Sequence, residues 1–254
     1  MNRNESFSAL TVTHLTVHLA WATLEIISDD VEELQLLISG DAHDVSELKI
    51  SCENGLLLCE QPTYGINMKL TTERWMQIFI RVPRSWKGEV EASTISAPLS
   101  ARDLTGTDLT LETVSGDLRT SGMHFLTVSL RSVSGAVSAS RMEGDRLTLR
   151  SVSGGMSASE CAFAAYRINA VSGDTLLSAS APFDRLDATT VSGSVRLSAP
   201  MDQADIVLRA ISGRVRTGGV SIVEGAPPVN VTSVSGDIEF TCSLHQQANH
   251  ETEE

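Results

Sequence analysis

Aromatic residues are scarce in this chain, at 4% of its 254 positions. Proteins that process polysaccharides stack sugars on exposed rings and need clustered carboxylates, so the scarcity counts against such a function. A polysaccharide-acting enzyme on a β-helix therefore remains only the third hypothesis. Helical periodicity is also absent, and apolar residues alternate along much of the chain instead.

Long apolar runs are missing as well. No stretch of 18 apolar residues occurs, so we predict no membrane span. The first 21 residues hold one basic residue, Arg3, an early Glu5 and an apolar stretch interrupted by threonine and histidine, which indicates a strand and not a secretion signal. We expect a cytoplasmic protein, which could reach the cell surface only through an unrecognised export route.

Cysteine is limited to four residues, and none has the C-x-x-C spacing of a zinc or redox site. Cys52 and Cys59 flank 53-ENG-55, a hairpin signal that would place them on two paired strands, and whether they form a disulfide stays open. His14 and His18 are four residues apart and could hold zinc only with a third ligand. We predict no metal site and no cofactor.

Positive charge is also in short supply, because the formal net charge is -13. Residues 1–61 hold eleven acidic residues against Arg3 and Lys49, whereas residues 62–244 are nearly balanced. An acidic chain without a basic stripe repels phosphate backbones and anionic lipid, so nucleic-acid binding and electrostatic membrane docking are disfavoured.

What the chain does have is one motif in seven copies. They are 113-TVSGDL-118, 132-SVSGAV-137, 151-SVSGGM-156, 170-AVSGDT-175, 190-TVSGSV-195, 210-AISGRV-215 and 233-SVSGDI-238. Each glycine marks one repeat: Gly116, Gly135, Gly154, Gly173, Gly193, Gly213 and Gly236, with Ala97 as a degenerate first member. The steps between these eight residues are 19, 19, 19, 19, 20, 20 and 23. A period near twenty predicts a solenoid, whose repeats bury their apolar faces by stacking.

Positions counted from each glycine show a strand pattern. Apolar side chains fill most of positions −7, −5, −2 and +2. Residues two or four apart lie on the same face of a strand, so −7 shares a face with −5, and −2 shares a face with +2. The spacing of three between −5 and −2 breaks this alternation and predicts a bend there. The residues at −2 are Ile95, Val114, Val133, Val152, Val171, Val191, Ile211 and Val234. Each repeat is thus two short strands joined by a corner.

These features predict an all-β fold, a single-stranded right-handed parallel β-helix with about eight regular coils of 19–23 residues. The right hand is the usual one for parallel crossovers. Residues 1–88 alternate without the motif and are expected to start the solenoid irregularly and cap its first edge, since an uncovered edge invites pairing. Residues 89–243 hold the regular repeats, and residues 244–254 form an acidic, polar tail.

The repeats resemble the bacterial "putative adhesin" family of β-strand-repeat proteins, a domain of unknown function. The recurring T/S-V-S-G units carry the resemblance, together with 108-DLTLE-112, 145-DRLTLR-150 and the strand 78-IFIRVP-83. It spans roughly residues 7–243. The resemblance implies a right-handed β-helix without known catalytic residues.

A serine precedes every repeat glycine. These residues are Ser115, Ser134, Ser153, Ser172, Ser192, Ser212 and Ser235. We interpret them as a structural ladder of hydrogen bonds, because a nucleophilic serine needs a nearby histidine and carboxylate that the repeats lack. The residue after the glycine is acidic in only some coils and is Arg214 in one, so no calcium ladder is predicted.

The outward positions −4 and −6 predict a flat, mixed surface. Arg131, Arg150 and Arg167 are expected to form a short positive column on it, interrupted by Glu112 and Asp187. No catalytic, cofactor or metal residue emerges, so the leading hypothesis is a non-enzymatic, adhesin-like binding or assembly protein. Its partner would be an unknown protein or a cell-surface component, with self-association possible. An intracellular or envelope-associated scaffold is the alternative.

Overall fold

A computed structural model describes residues 1–62 and 75–243, which are almost entirely β-strand. The predicted tail, residues 244–254, lies outside the described residues. The N-terminal strands are β1 (Asn2–Ser8), β2 (His14–Leu19), β3 (Thr23–Asp29), β4 (Glu33–Gly40), β5 (Lys49–Glu53), β6 (Leu56–Glu60), β7 (Met76–Pro83), β8 (Glu89–Thr94) and β9 (Leu99–Arg102). One short helix, α1 (Ala42–Glu47), separates β4 from β5.

The remaining strands follow the repeats. They are β10 (Thr105–Thr113), β11 (Leu118–Ser132), β12 (Val137–Ser151), β13 (Met156–Ser172), β14 (Thr175–Ala179), β15 (Arg185–Ser192), β16 (Val195–Ala199), β17 (Gln203–Ser212), β18 (Val215–Gly218), β19 (Ser221–Ile222), β20 (Pro228–Ser235) and β21 (Ile238–Cys242). Their pairings are parallel and in register with the repeat, so Leu109 lies opposite Val90 on one side and Val128 on the other. The all-β, solenoid-like fold predicted from the repeats is confirmed.

Each repeat contributes strand to two faces. The first face precedes the glycine and consists of β8, β10, the ends of β11 to β13, β15, β20 and β17. The second face follows the glycine and consists of β9, the starts of β11 to β13, β14, β16, β21 and β18. The apolar residues at −7, −5 and +2 are buried between the faces in all but the outermost coil, as in Leu109, Leu111 and Leu118. This interior is the hydrophobic core.

The prediction that positions −2 and +2 lie on the same face of a strand is wrong. The residues at −2 are exposed, from 41% at Val114 to 82% at Ile211, and point out of the core. Position −3 is inward instead, and it carries small side chains such as Thr113, Ser132 and Ser151, all buried. The inward series therefore runs −7, −5, −3, and the change of phase falls between −2 and −1, which are both exposed.

The order of coils in the stack differs from their order in the sequence at the C-terminal end. β20 pairs with β15 on one edge and with β17 on the other, and β21 likewise lies between β16 and β18. The last repeat, residues 228–242, is therefore inserted between its two predecessors, and residues 203–218 form the outermost coil. The long loop 224-EGAPPV-229 belongs to this return of the chain.

The N-terminal strands mirror this arrangement. The coil formed by β2 and β3 lies between β6 and β7 on one side and β8 and β9 on the other. β4 then pairs antiparallel with β7, and β1 antiparallel with β4. Helix α1 packs beside these strands, with Val45 buried and Arg3 donating to the carbonyl oxygen of Leu48 at 2.9 Å. The parallel solenoid therefore ends in antiparallel strands on this side.

The hairpin predicted at 53-ENG-55 is confirmed, but it does not bring the two cysteines together. Asn54 and Gly55 have φ of 52° and 86°, as a tight turn between β5 and β6 requires. The register places Cys52 opposite Leu57 and Cys59 opposite Ile50. Both thiols are free, so the possible pairing of Cys52 with Cys59 is not seen.

Candidate binding groove

The repeat glycines lie one above another where the two faces meet. A Cβ atom on Gly135 would lie 1.8 Å from the carbonyl oxygen of Gly116, and one on Gly154 would lie 2.0 Å from that of Gly135. The same contact joins Gly236 to Gly193 and Gly213 to Gly236, which follows the order of coils in space. No side chain fits between these stacked backbones.

The serines that precede the glycines are exposed. Their backbones hold adjacent coils together, because the NH groups of Ser115, Ser134, Ser153 and Ser172 each donate to a carbonyl of the preceding coil at 2.8 Å. Their hydroxyls contribute less, and Ser153 Oγ donates to the Val133 carbonyl at 3.1 Å.

A second set of hydroxyls, at position −3, is buried behind the corner. Ser151 Oγ donates to the Gly154 carbonyl at 2.7 Å and accepts from the Gly154 NH at 2.9 Å. Ser132 Oγ makes the first of these bonds to Gly135 at 2.6 Å. These residues brace the turn from within, and the sequence reasoning missed them because small polar side chains are not a core signal.

The acidic residues after the glycines also serve the backbone. Asp117 Oδ1 accepts the NH of Ala136, Asp174 Oδ1 accepts that of Ser194, and Asp237 Oδ1 accepts that of Arg214. The last bond again joins the inserted coil to the outermost one. Each carboxylate thus satisfies an NH group in the next coil of the stack.

The outward valines form the most distinctive surface of the molecule, which we call the valine column. It contains Ile95, Val114, Val133, Val152 and Val171, each 41–48% exposed. Together with the outward row Ser93, Glu112, Arg131, Arg150 and Asn169 it lines a groove of about 540 Å³. Successive coils are spaced by about 4.8 Å, so the column runs for roughly 19 Å along the stack.

Charge in this groove is unevenly compensated. Arg131 Nη1 lies 2.9 Å from Glu112 Oε1, whereas Arg150 forms no ion pair within the part of the chain that the structure describes. The predicted three-arginine column is wrong in one member. Arg150 lies opposite Arg131 and Asn169, but Arg167 lies opposite Thr148 and Asp187, two residues nearer the start of the strand.

Arg167 belongs to a separate shallow basin with Arg146, Arg185 and Asp187. The Arg185 guanidinium donates to Asp187 at 2.5 Å and lowers the pKa of that carboxyl below its usual value. The basin has one carboxylate and no histidine, so it lacks the acid and base pair of a glycosidase.

The remaining candidate residues stay apart. His14 and His18 both lie on β2, but His14 Nε2 is 3.1 Å from Glu89 and His18 Nδ1 is 2.8 Å from Ser93 Oγ. Among residues 1–62 and 75–243, no three histidine, cysteine or acidic side chains are grouped as metal ligands. In the same residues, no helix is long and apolar enough to cross a membrane.

Comparison with known proteins identifies the family. Residues 12–254 match the family described as Toastrack DUF4097. The chain belongs to this family. The resemblance noted in the repeats is thereby confirmed, whereas no curated protein matches the chain significantly.

Three crystal structures share the fold of this Toastrack DUF4097 chain. A "putative adhesin" from Bacteroides fragilis is 12% identical, with 94% of this chain and 97% of that one aligned and a TM-score of 0.57. A "putative adhesin" from Parabacteroides merdae is 11% identical over 94% and 95% of the two chains, with a TM-score of 0.52. A "putative lipid binding protein" from Parabacteroides distasonis is 16% identical over 94% and 96%, with a TM-score of 0.51.

Proposed function

We propose that this chain is a non-enzymatic, adhesin-like binding protein that captures a protein partner along the valine column. The fold in this proposal is a right-handed parallel β-helix with about eight regular coils. The observation that carries the proposal is the continuous row of five half-exposed aliphatic side chains in one groove. Surface patches of this kind are typical of interaction sites, since isolated exposed apolar residues are common but aligned ones are not.

The groove favours an extended polypeptide that carries apolar and acidic side chains. Its apolar members recur once per coil, so a partner strand running along the stack would meet one aliphatic side chain about every 4.8 Å. Arg150 supplies an uncompensated positive charge beside them, which an acidic side chain of the partner would neutralise. The two structures of the same fold that are named as putative adhesins add support for a binding role.

The residues that line the groove do not form a catalytic acid and base pair. Its polar members are serines, threonines, Asn169, Glu112 and the two arginines, and Glu112 is engaged by Arg131. A general acid or base needs a titratable group poised near neutral pH, and hydrolysis of a glycoside needs two carboxyl groups. Binding is therefore the function that this surface supports best.

Adhesion by coated beads tests the proposal. Microspheres carrying the full chain should adhere to the cells that make it, and beads carrying the V133D/V152D variant should lose at least about tenfold in adhesion, because two carboxylates disrupt the apolar row and oppose an acidic partner. The control variant S138D/S157D places the same charges on outward positions of the second face and should adhere like the wild type.

Exposure of the native protein to protease on intact cells tests the location that adhesion requires. Cleavage by added protease is the expected result. Protection of the protein until the cells are lysed would contradict the adhesin-like role. Equal adhesion by beads bearing V133D/V152D and wild-type protein would contradict the assignment of the valine column.

A further inference from the structure

The outermost coil, residues 203–218, leaves part of the core uncovered. Ile206 and Leu208 occupy positions −7 and −5 but are only partly buried, whereas their counterparts in the inserted coil, Val229 and Val231, are fully buried. Ile211 is 82% exposed and Val215 45% exposed. The opposite end of the stack is covered by antiparallel strands and helix α1, so the two ends differ.

The outer edge of β17 is also unpaired along most of its length. β19 pairs with this edge at Gln203 and Ala204, and no other strand of the described residues pairs with it from Asp205 to Ser212. The Asp205 NH donates inward to the Pro227 carbonyl at 3.1 Å. Because successive NH groups of a strand point to opposite sides, the NH groups of Ile206 and Leu208 point to the free edge.

The residues of this free edge, 205-DIVLR-209, are complementary to themselves when read in opposite directions. A two-fold axis through Val207 would pair Asp205 of each copy with Arg209 of the other, Ile206 with Leu208, and Val207 with itself. Neither Asp205 nor Arg209 forms an ion pair within residues 1–62 and 75–243. Opposite charges directly across an antiparallel pair are stabilising.

We propose that this edge joins two copies of the chain in an antiparallel, two-fold dimer centred on Val207. With that centre, Ile206 of each copy forms a hydrogen-bonded pair with Leu208 of the other. The closer, non-hydrogen-bonded pairs are Val207 with Val207, and Asp205 with Arg209. The two-fold axis is perpendicular to the first face, so the uncovered cores of both copies lie on the same side and continue into each other.

The exposed residues beside the edge fit the same arrangement. β19 already pairs with Gln203 and Ala204, so the segment that can pair between the two copies is short and begins at Asp205. In this register Ile211 of each copy lies near β19 of the other. β19 carries Ile222, which is 64% exposed. Pairing of this edge with its copy is isologous and closes at two copies, because the two-fold contact uses the same edge of both chains.

The test is the mass of the full chain in solution, followed by dilution in analytical ultracentrifugation. The chain of 27.2 kDa should sediment as a species of twice that mass. Asp205→Arg or Arg209→Asp alone places like charges opposite each other twice per dimer and should raise the dissociation constant on the order of tenfold or more. The double variant D205R/R209D restores both pairs and should return the constant to within about threefold of the wild type.

Two controls separate the proposal from loss of folding. Arg146→Asp makes the same charge change on an outward position of the first face in an interior coil and should leave the mass unchanged. Circular dichroism spectra of the single variants should match that of the wild type, and so should thermal unfolding measured at a concentration at which all of them are monomeric. A monomer at all concentrations, or a dimer indifferent to both single changes, would overturn the proposal, and failure of the double variant to recover would overturn this register.

Discussion

At the scale of single residues, Gly135 occupies a position where a methyl group has no room. The nearest atom to an added Cβ is the Gly116 carbonyl oxygen at 1.8 Å, and both atoms belong to the backbones of stacked coils. Gly135→Ala must push these coils apart, so we expect a loss of about 2–3 kcal/mol in the free energy of unfolding. Urea denaturation measures it.

Gly155 provides the matched control for the Gly135→Ala substitution, since it lies at the corner of the next coil. An added Cβ there would meet only the Asp174 carbonyl oxygen, at 3.6 Å. Gly155→Ala should change the unfolding free energy by no more than about 0.5 kcal/mol. Equal losses in the two variants would contradict close approach of the stacked backbones as the reason for glycine at position 135.

The four thiols should differ in reactivity. Burial raises the pKa of Cys59 to about 12 and that of Cys161 to about 11, whereas Cys52 is partly exposed. At pH 8 we expect Ellman's reagent to modify Cys52 rapidly and the three buried thiols, Cys59, Cys161 and Cys242, slowly in the folded protein, and C52S to remove the rapid phase. Rapid modification of Cys59 in the C52S variant would contradict its burial and show that the strands around β6 open.

The same pKa shifts give alkaline pH a destabilising effect. The raised folded pKa means that the neutral thiols of Cys59 and Cys161 contribute their full stability below the ordinary value of 9.0. Above that pH the unfolded chain loses thiol protons while the folded chain keeps them. Stability should therefore fall between about pH 9 and the folded values of 11 and 12.

At the scale of the strand, alternation predicted which positions face the core in the middle of each strand but not at the corner between the two strands of a repeat. The burial of Leu109, Leu111 and Leu118 agrees with the apolar pattern. The orientation of Val114 does not agree with it. An apolar residue two places before a glycine can face the core or the solvent, and the position of the bend determines which. The valine column was therefore visible in the sequence as a row of residues but not as a surface.

The buried hydroxyls at −3 and the exposed serines at −1 should respond differently to substitution. Ser151→Ala removes two hydrogen bonds and leaves the Gly154 carbonyl and NH unsatisfied in the core, so we expect a loss of about 1–3 kcal/mol. Ser153→Ala removes one bond at the surface and should cost less than about 0.5 kcal/mol.

Thermal and urea unfolding of these two variants decides the matter. A larger effect of Ser153→Ala than of Ser151→Ala would place the structural ladder at the serines that the sequence singled out. The contrast also explains why six of the eight residues at −3 are serine or threonine, since both supply a hydroxyl small enough for the inner side of the corner.

At the scale of the whole molecule, the period of the repeats predicted a stacked solenoid but not the order of its coils. Any repeat can stack on any other, because all present the same strand edges and the same glycine corner. The step of 23 residues before Gly236 was the one signal that the chain makes a longer return there. The exposed edge of β17, and with it the proposed dimer, follows from this order and is not readable from the motif.

Two deletions of similar length test the inserted coil. Removal of residues 206–228, one step of 23, joins Asp205 to Val229 in the same phase, so that the last repeat can stack on β15 and β16 as it does now. Truncation after residue 228 removes the inserted coil and leaves residues 203–218 without the strands they pair with. We expect the internal deletion to unfold cooperatively at nearly the wild-type temperature and the truncation to unfold at least several degrees lower.

Hydrogen exchange shows where the loss occurs. In the truncated chain the amides of residues 203–218 should lose protection, because both of their hydrogen-bonded neighbours in β20 and β21 are absent. Truncation after residue 243 is the control and should leave these amides as protected as in the full chain. Protection of residues 203–218 in the absence of residues 229–254 would contradict this expectation and would mean that the coil stacks directly on β15 and β16 in the truncated chain.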